Sequence, residues 1–299
     1  MQKIVPNIWC NRTAAEAAEF YTRIFPKATS EVTLRYPAED LPDFQKDFAG
    51  DVLTIDVVID GYHLSLINSD GTFRPNASLS FMVNFDPLMF RGDEAAARGA
   101  LDALWIELCV GGRVLMELGE YPFSARYGWV EDRYGVTWQL MLTDPEGDPR
   151  PFLIPSLLFG ATAQNRAAEA VEAYTSIFGG RLGTIVPYPE ETGPAAAGAV
   201  MFSEFQLAGE WFTAMDSGAP QDSSFTPGVS LEVRCRDQAE IDRLWDALSA
   251  VPEAEACGWL VDRFGLSWQI TPADMGDRAQ EPGVYQGMLD MKKIIIADL

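Results

Sequence analysis

Two passages of this chain each occur twice, in the same order. The segment AEAAEFYTRIF at residues 15–25 returns as AEAVEAYTSIF at 168–178, and GWVEDRYGVTWQL at 128–140 returns as GWLVDRFGLSWQI at 258–270. Each helix-like segment opens a half and each aromatic segment closes it. A repeat of this period means two copies of one fold joined in tandem rather than one large core. Its 299 residues give each copy enough length to bury a core of its own.

Hydropathy and charge then exclude whole classes. The apolar stretch at residues 52–67 is interrupted by Asp56, Asp60 and His63, so it falls short of the roughly 18–20 residues of a membrane span. The first residues, Met1-Gln2-Lys3-Ile4-Val5-Pro6, lead into a strand without a signal-peptide core, and a cytoplasmic protein is expected. A net charge of −22 argues against nucleic acid and anionic membranes as partners. Cys10, Cys109, Cys235 and Cys257 are scattered, without Cys-x-x-Cys spacing, and read as free thiols in a reducing compartment.

Along the chain, helical spacing predicts helices at 14–25, 93–110, 167–178 and 238–250. Strands are expected at 4–9, 31–36, 52–59, 62–68, 78–85, 113–118, 129–132 and 136–142. In the second half they are expected at 152–159 and 229–235. Asp60-Gly61 is the strongest hairpin signal, and Ala208-Gly209 stands at the corresponding place in the second half. The polar, breaker-dense residues 144–151 read as a linker between a first domain, 1–143, and a second, 152–272. Residues 273–299 form a tail, whose Lys292-Lys293-Ile294-Ile295-Ile296 reads as one more strand strapped across the other domain. The second half lacks a counterpart of residues 112–127.

A paired βαβββ order, a Phe-Tyr near the first helix's end and an Asp-x-x-Gly-x-x-x-x-Leu close resemble the vicinal oxygen chelate superfamily. That superfamily includes glyoxalase I, extradiol dioxygenases and bleomycin-resistance proteins. The residues Tyr121-Pro122-Phe123-Ser124, Arg126-Tyr127-Gly128-Trp129 and Asp132-Arg133-Tyr134-Gly135-Val136-Thr137-Trp138-Gln139 are similar to its PhnB-like, "demethylubiquinone methyltransferase-like" branch. So are residues 257–269 and the tail 286–294. The resemblance implies an α+β fold of tandem domains, each a curled mixed sheet of paired βαβββ modules with outer helices. It also implies an intramolecular pseudo-dimer or a homo-dimer.

Metal-using relatives place His and Glu in inward-facing strand slots. Carried over, those slots fall at Pro6 or Asn7, Ser78 and Gln139 in the first half, and at Pro155 or Ser156, Ser230 and Gln269 in the second. Neutral amides and hydroxyls are poor transition-metal ligands, and His63 is the only histidine, so no metal and no cofactor is expected. Gln139 and Gln269 can both donate to and accept from a ligand on the cup floor. Glu232, alternating with Ser230, reads either as a rim charge or as a carboxylate facing the second cup. Trp9, Phe81, Trp129 and Trp138 in the first half, with Trp211 and Trp259 in the second, read as core or as the lining of an apolar pocket.

The chain contains no Gly-rich phosphate loop, no Gly-x-Ser-x-Gly elbow and no S-adenosylmethionine-type Rossmann opening. Three functions follow from this reading. The first is a metal-free small-molecule binding protein using Trp9, Phe81, Trp129, Trp138, Gln139, Trp211, Glu232, Trp259 and Gln269. The second is an enzyme using the cup without a metal, and the third a structural protein whose cups are filled by side chains.

Overall fold

A computed structural model describes residues 2–281 and 283–299. Four modules follow one another along the chain. The first is β1 (Ile4–Asn11), α1 (Ala14–Ile24), β2 (Ala28–Arg35), β3 (Val52–Ile59) and β4 (Tyr62–Ser69). The second is β5 (Leu79–Phe85), α2 (Glu94–Cys109), β6 (Arg113–Tyr121), β7 (Ser124–Glu131) and β8 (Thr137–Leu142). The third is β9 (Leu153–Phe159), α3 (Ala167–Phe178), β10 (Arg181–Pro187), β11 (Val200–Leu207) and β12 (Glu210–Asp216). The fourth, one strand shorter, is β13 (Val229–Cys235), α4 (Gln238–Leu248), β14 (Trp259–Val261) and β15 (Ser267–Pro272). Two short helices, α5 (Met275–Arg278) and α6 (Val284–Leu289), belong to the tail.

These modules form two mixed sheets. One has seven strands in the order β14-β15-β13-β1-β4-β3-β2, and the other eight in the order β10-β11-β12-β9-β5-β8-β7-β6. The first joins the first and fourth modules through the antiparallel pair β1–β13, with Asn7 opposite Ser230. The second joins the middle modules through β5–β9, with Ser80 opposite Ser156. The compact units are accordingly a terminal unit, Met1–Thr22, Ala28–Arg74 and Phe225–Leu299, and a central unit, Arg23–Lys27 and Pro75–Ser224.

The expected division into 1–143 and 152–272 therefore separates the sequence repeats but not the folded units. Backbone pairing is the reason. The first strand of each half hydrogen-bonds to a module of the other half, so neither half closes a sheet alone.

Turn chemistry matches its sequence signals. Asp60-Gly61 and Ala208-Gly209 have φ of 47° and 85°, and 49° and 89°, the left-handed pair that a two-residue hairpin requires. The repeated Asp-x-x-Gly motif is a structural clip. Asp132 Oδ1 accepts from the Tyr134 and Val136 amides at 2.8 and 3.1 Å, and its Oδ2 accepts from Trp138 Nε1 at 2.9 Å. Asp262 repeats this with Phe264, Leu266 and Trp268 at 2.8, 3.0 and 2.8 Å. Gly135 and Gly265, at φ 85° and 91°, supply the turn each clip wraps around. Gly128 serves close packing instead, because a Cβ there would lie 2.6 Å from the Trp105 ring of α2.

The tail stays with the terminal unit. Tyr285 of α6 donates to Gln45 at 3.0 Å and meets Tyr36 edge-on, so the chain's end packs on its first module. Residues 292–296 are not a strand, contrary to expectation. The Met291 and Lys292 carbonyls accept from the Cys257 and Gly258 amides at 2.7 Å, and the backbone then leaves in a 3-10 turn, Ile296–Asp298.

Candidate functional site

Strand alternation sorts each sheet into a helix-covered face and an opposite face. On the opposite face of the terminal sheet, register lines up Asp56, Ser65, Asn7 and Ser230 across β3, β4, β1 and β13. Leu231 stands beside Trp268, so Ser267 follows Ser230 one step along the row. On the central sheet the same construction gives Glu204, Thr213, Ser156, Ser80 and Thr137. An acid, a hydroxyl, an amide or hydroxyl and two further hydroxyls thus run across each sheet at matching positions.

A glutamine reaches back onto each row. Gln269 Nε2 donates to Ser230 Oγ at 2.9 Å, and Gln139 Nε2 donates to Ser80 Oγ at 2.7 Å and Ser156 Oγ at 3.3 Å. Trp259 and Trp129 lie directly opposite these glutamines. The structure corrects one slot. Ser78 precedes β5, and Ser80 is the true counterpart of Ser230. Between Pro6 and Asn7, and between Pro155 and Ser156, the row takes Asn7 and Ser156.

Phe81 and Trp138 do not line the central cup. Both are fully buried on the helix-covered face, where Trp138 packs at 5.2 Å from Phe81 and 4.8 Å from Phe25. Sequence alternation marks them as strand aromatics but cannot choose the face, and the Asp132 clip fixes the phase. The other candidates fall into two groups. Trp9, Glu232, Trp259 and Gln269 belong to the terminal cup, and Trp129, Gln139 and Trp211 to the central one.

The two cups differ in what covers the row. In the central cup, Tyr127 donates its hydroxyl to Gln139 Oε1 at 2.7 Å, and burial raises its pKa. Arg150, from the linker, clamps Glu204 with bonds of 2.9 and 2.6 Å and stacks 4.3 Å over Trp211. Gln139, beneath Tyr127, is only 2% exposed. In the terminal cup the position of Tyr127 is taken by Cys257, whose thiol turns to the Leu289 carbonyl, and Gln269 stays half-buried.

The terminal cup also carries ionisable side chains at three positions where the central one has none. Glu232 stands where the other sheet has Met82, Arg234 where it has Asn84, and His63 where it has Trp211. Arg234 Nε contacts Glu232 Oε2 at 3.3 Å, and its Nη2 lies 3.7 Å from Asp56 Oδ2. Thr271 donates to Glu232 Oε1 at 2.9 Å, while His63 Nδ1 sits 3.9 Å from Asp56 Oδ2. Burial raises the Asp56 pKa, Arg234 opposes that rise and Glu232 adds to it. At one end, Trp9 meets Phe73 and Trp259 edge-on, with centroids 5.1 and 6.2 Å apart. An open groove of about 800 Å³ elsewhere in this unit, between β2 and the tail, is lined by none of the candidate residues.

This donor set does not suit a transition metal. The rows supply amide and hydroxyl groups, and among the described residues no three His, Cys, Asp or Glu side chains are grouped to hold an ion. Glu232 and Asp56 are occupied with Arg234, which would repel a cationic metal.

Paired βαβββ modules in curled mixed sheets define the glyoxalase-like fold. Glyoxalase I from Zea mays shares it, at 12% identity over 90% of this chain and 93% of that one, with a TM-score of 0.51. The chain belongs to the family described as 3-demethylubiquinone-9 3-methyltransferase, the PhnB-like branch of the vicinal oxygen chelate superfamily, whose profile matches residues 2–141 and 151–271. A PhnB protein from Bacillus cereus is 28% identical over 48% of this chain and 100% of its own, with a TM-score of 0.39. TioX from Micromonospora sp. ML1 is 15% identical over 48% of this chain and 100% of its own, with a TM-score of 0.31. No curated protein matches.

Proposed function

We propose that this protein binds a small polar molecule without a metal, and that its site is the terminal cup. The observation that carries this is the asymmetry of two otherwise matching rows. Gln139 is sealed beneath Tyr127, whereas Gln269, Glu232, Arg234, Trp9 and Trp259 are half-buried, each reachable from solvent. Half-buried polar groups that converge beside aromatic rings are the ordinary make-up of a ligand site. The half-buried Gln269, Glu232 and Arg234 orient the ligand by hydrogen bonds, and the Trp9–Trp259 edge packs on its apolar part. The Arg150 clamp makes the central cup the structural partner.

The family description names a methyl transfer. The sequence has no S-adenosylmethionine-type Rossmann opening, and binding is the reading its residues support. A thermal-shift screen of small polar metabolites in the presence of EDTA tests it. A ligand at a hundred times its Kd stabilises the fold by about 2.7 kcal/mol. That shift should vanish in Gln269→Leu and persist in Gln139→Leu. Hits that need added Zn²⁺ or Mn²⁺, or that survive Gln269→Leu, would contradict the proposal.

A further inference from the structure

Gln139 and Gln269 are counterparts, yet their amides are engaged to different extents. Gln139 donates from Nε2 to Ser80 Oγ and Ser156 Oγ at 2.7 and 3.3 Å, and its Oε1 accepts from the Tyr127 hydroxyl at 2.7 Å. Gln269 makes one of these three bonds, from Nε2 to Ser230 Oγ at 2.9 Å. Among the described residues no other side chain hydrogen-bonds to it. One N–H and the whole of Oε1 are left over, on a side chain that is half-buried and open to solvent.

Two differences between the copies cause this. Asn7 stands where the central row has Ser156, and its amide turns back to donate to the Val5 carbonyl at 3.1 Å. Cys257 stands in place of Tyr127, and from a left-handed backbone, at φ 54°, its thiol turns to the Leu289 carbonyl. A third difference adds a surface. Trp9 stands where the central sheet has Leu158. Its ring is fixed by a 2.8 Å bond from Nε1 to the Asp70 carbonyl and by the edge-on contact with Phe73. Trp259, 6.2 Å from Trp9, lies directly opposite Gln269 in the β14–β15 register. The free amide edge and the two indoles thus share one corner of the sheet, on the neighbouring strands β14, β15, β13 and β1.

We infer that the terminal cup takes an uncharged planar ring bearing an amide, a carboxamide or a lactam. The ligand's N–H donates to Gln269 Oε1, in the role that the Tyr127 hydroxyl has in the central cup. Its carbonyl accepts the remaining Gln269 N–H, and its ring packs on Trp9 and Trp259. A carboxylate offers no N–H to Oε1 and would face Glu232, which neighbours Gln269 on β13. A bare ammonium has no acceptor for the amide N–H. This rests on the terminal cup being the binding site and narrows what it binds.

Benzamide, acetophenone and benzoate share one shape and differ at that edge. The first carries a donor and an acceptor, the second an acceptor alone, the third a charged pair of acceptors. Titrated calorimetrically into the full chain, benzamide should bind most tightly and benzoate least. Acetophenone should bind about fivefold more weakly than benzamide for its one lost hydrogen bond. Gln269→Leu should abolish that preference, and Gln269→Glu, which keeps an acceptor and loses the donor, should widen it. A merely structural role for Gln269 would weaken both probes alike. Melting temperatures show that each variant is folded, and Gln269→Glu alone suffices if Gln269→Leu is not. Acetophenone or benzoate binding as tightly as benzamide, or a preference unchanged in the folded variants, overturns the amide class while leaving the cup a binding site. Absence of binding by all three probes overturns the amide class as well, and the wider metabolite screen then decides the fate of the cup itself.

Discussion

Replacing Arg234 with Met should destabilise the protein in a pH-dependent way. The guanidinium lies between Asp56 at 3.7 Å and Glu232 at 3.3 Å, and all three side chains are less than one-fifth exposed. Without it, two carboxylates face each other uncompensated; like charges about 6 Å apart repel by about 3 kcal/mol at an effective dielectric constant near 20. Breaking a fully buried pair costs about 3–5 kcal/mol, and residual solvent screening here reduces that to about 2–3 kcal/mol at pH 8. Asp56 already has a raised pKa, from burial first, and losing Arg234 raises it further. The folded protein then binds a proton that the unfolded chain, titrating near the ordinary value of about 4, has released. Stability from this group is greatest at low pH and falls as pH rises through the folded pKa. Urea denaturation of wild type and Arg234→Met should give a difference of about 2–3 kcal/mol at pH 8, shrinking to about 1 kcal/mol at pH 5. Adding Asp56→Asn to the variant should recover most of the loss at pH 8. An equal loss at both pH values, or no recovery in the double variant, would refute the account of this triad.

Asp132→Ala strips the acceptor from two amides and the Trp138 indole, and should cost about 3 kcal/mol in chemical denaturation. Loss below 1 kcal/mol would mean the clip is incidental. Gln139→Leu, which removes three buried hydrogen bonds, should lower the melting temperature clearly more than Gln269→Leu does; the reverse order would contradict the sealed and open cups. Burial pushes the Cys235 thiol up to about 12, and Cys257 is raised by burial as well. Neither should react with a disulfide reagent at pH 8 until the protein unfolds, and prompt labelling of either would count against their placement.

The sequence repeat made the modules legible, because periodicity and turn residues act locally. Helix α3 and strands β3 and β13 fall where spacing predicts them. Partner choice was not legible. Four modules of one plan can pair in several ways, and nothing in the residues of β1 states that its antiparallel neighbour is β13 rather than a strand of its own half. The candidate site was read in part. Gln139, Gln269 and Glu232 follow from alternation and sit on the cup faces. Phe81 and Trp138 carry the same alternating signal one residue out of phase, which puts them in the core.

Asp56, Arg234, Arg150 and Tyr127 were missed as site residues. Asp56 left a signal, an acid alternating with Ile55, Val57 and Ile59 inside an apolar strand, which marks a charge facing away from the core. Arg150 left none, because a linker residue folding back onto Glu204 depends on tertiary path alone.

The central claim is that the terminal cup binds a small polar molecule through its own side chains, without a metal. The most direct test is a calorimetric titration of the strongest stabilising metabolite from the thermal-shift screen into EDTA-dialysed, untagged protein whose metal content has been measured on the same sample. The account predicts saturable binding at one site per chain with Zn, Fe, Mn and Ni all well below one equivalent, and loss of that binding in Gln269→Leu but not in Gln139→Leu. Binding that appears only after a stoichiometric metal is restored, or that is lost through Gln139 and not Gln269, would contradict it.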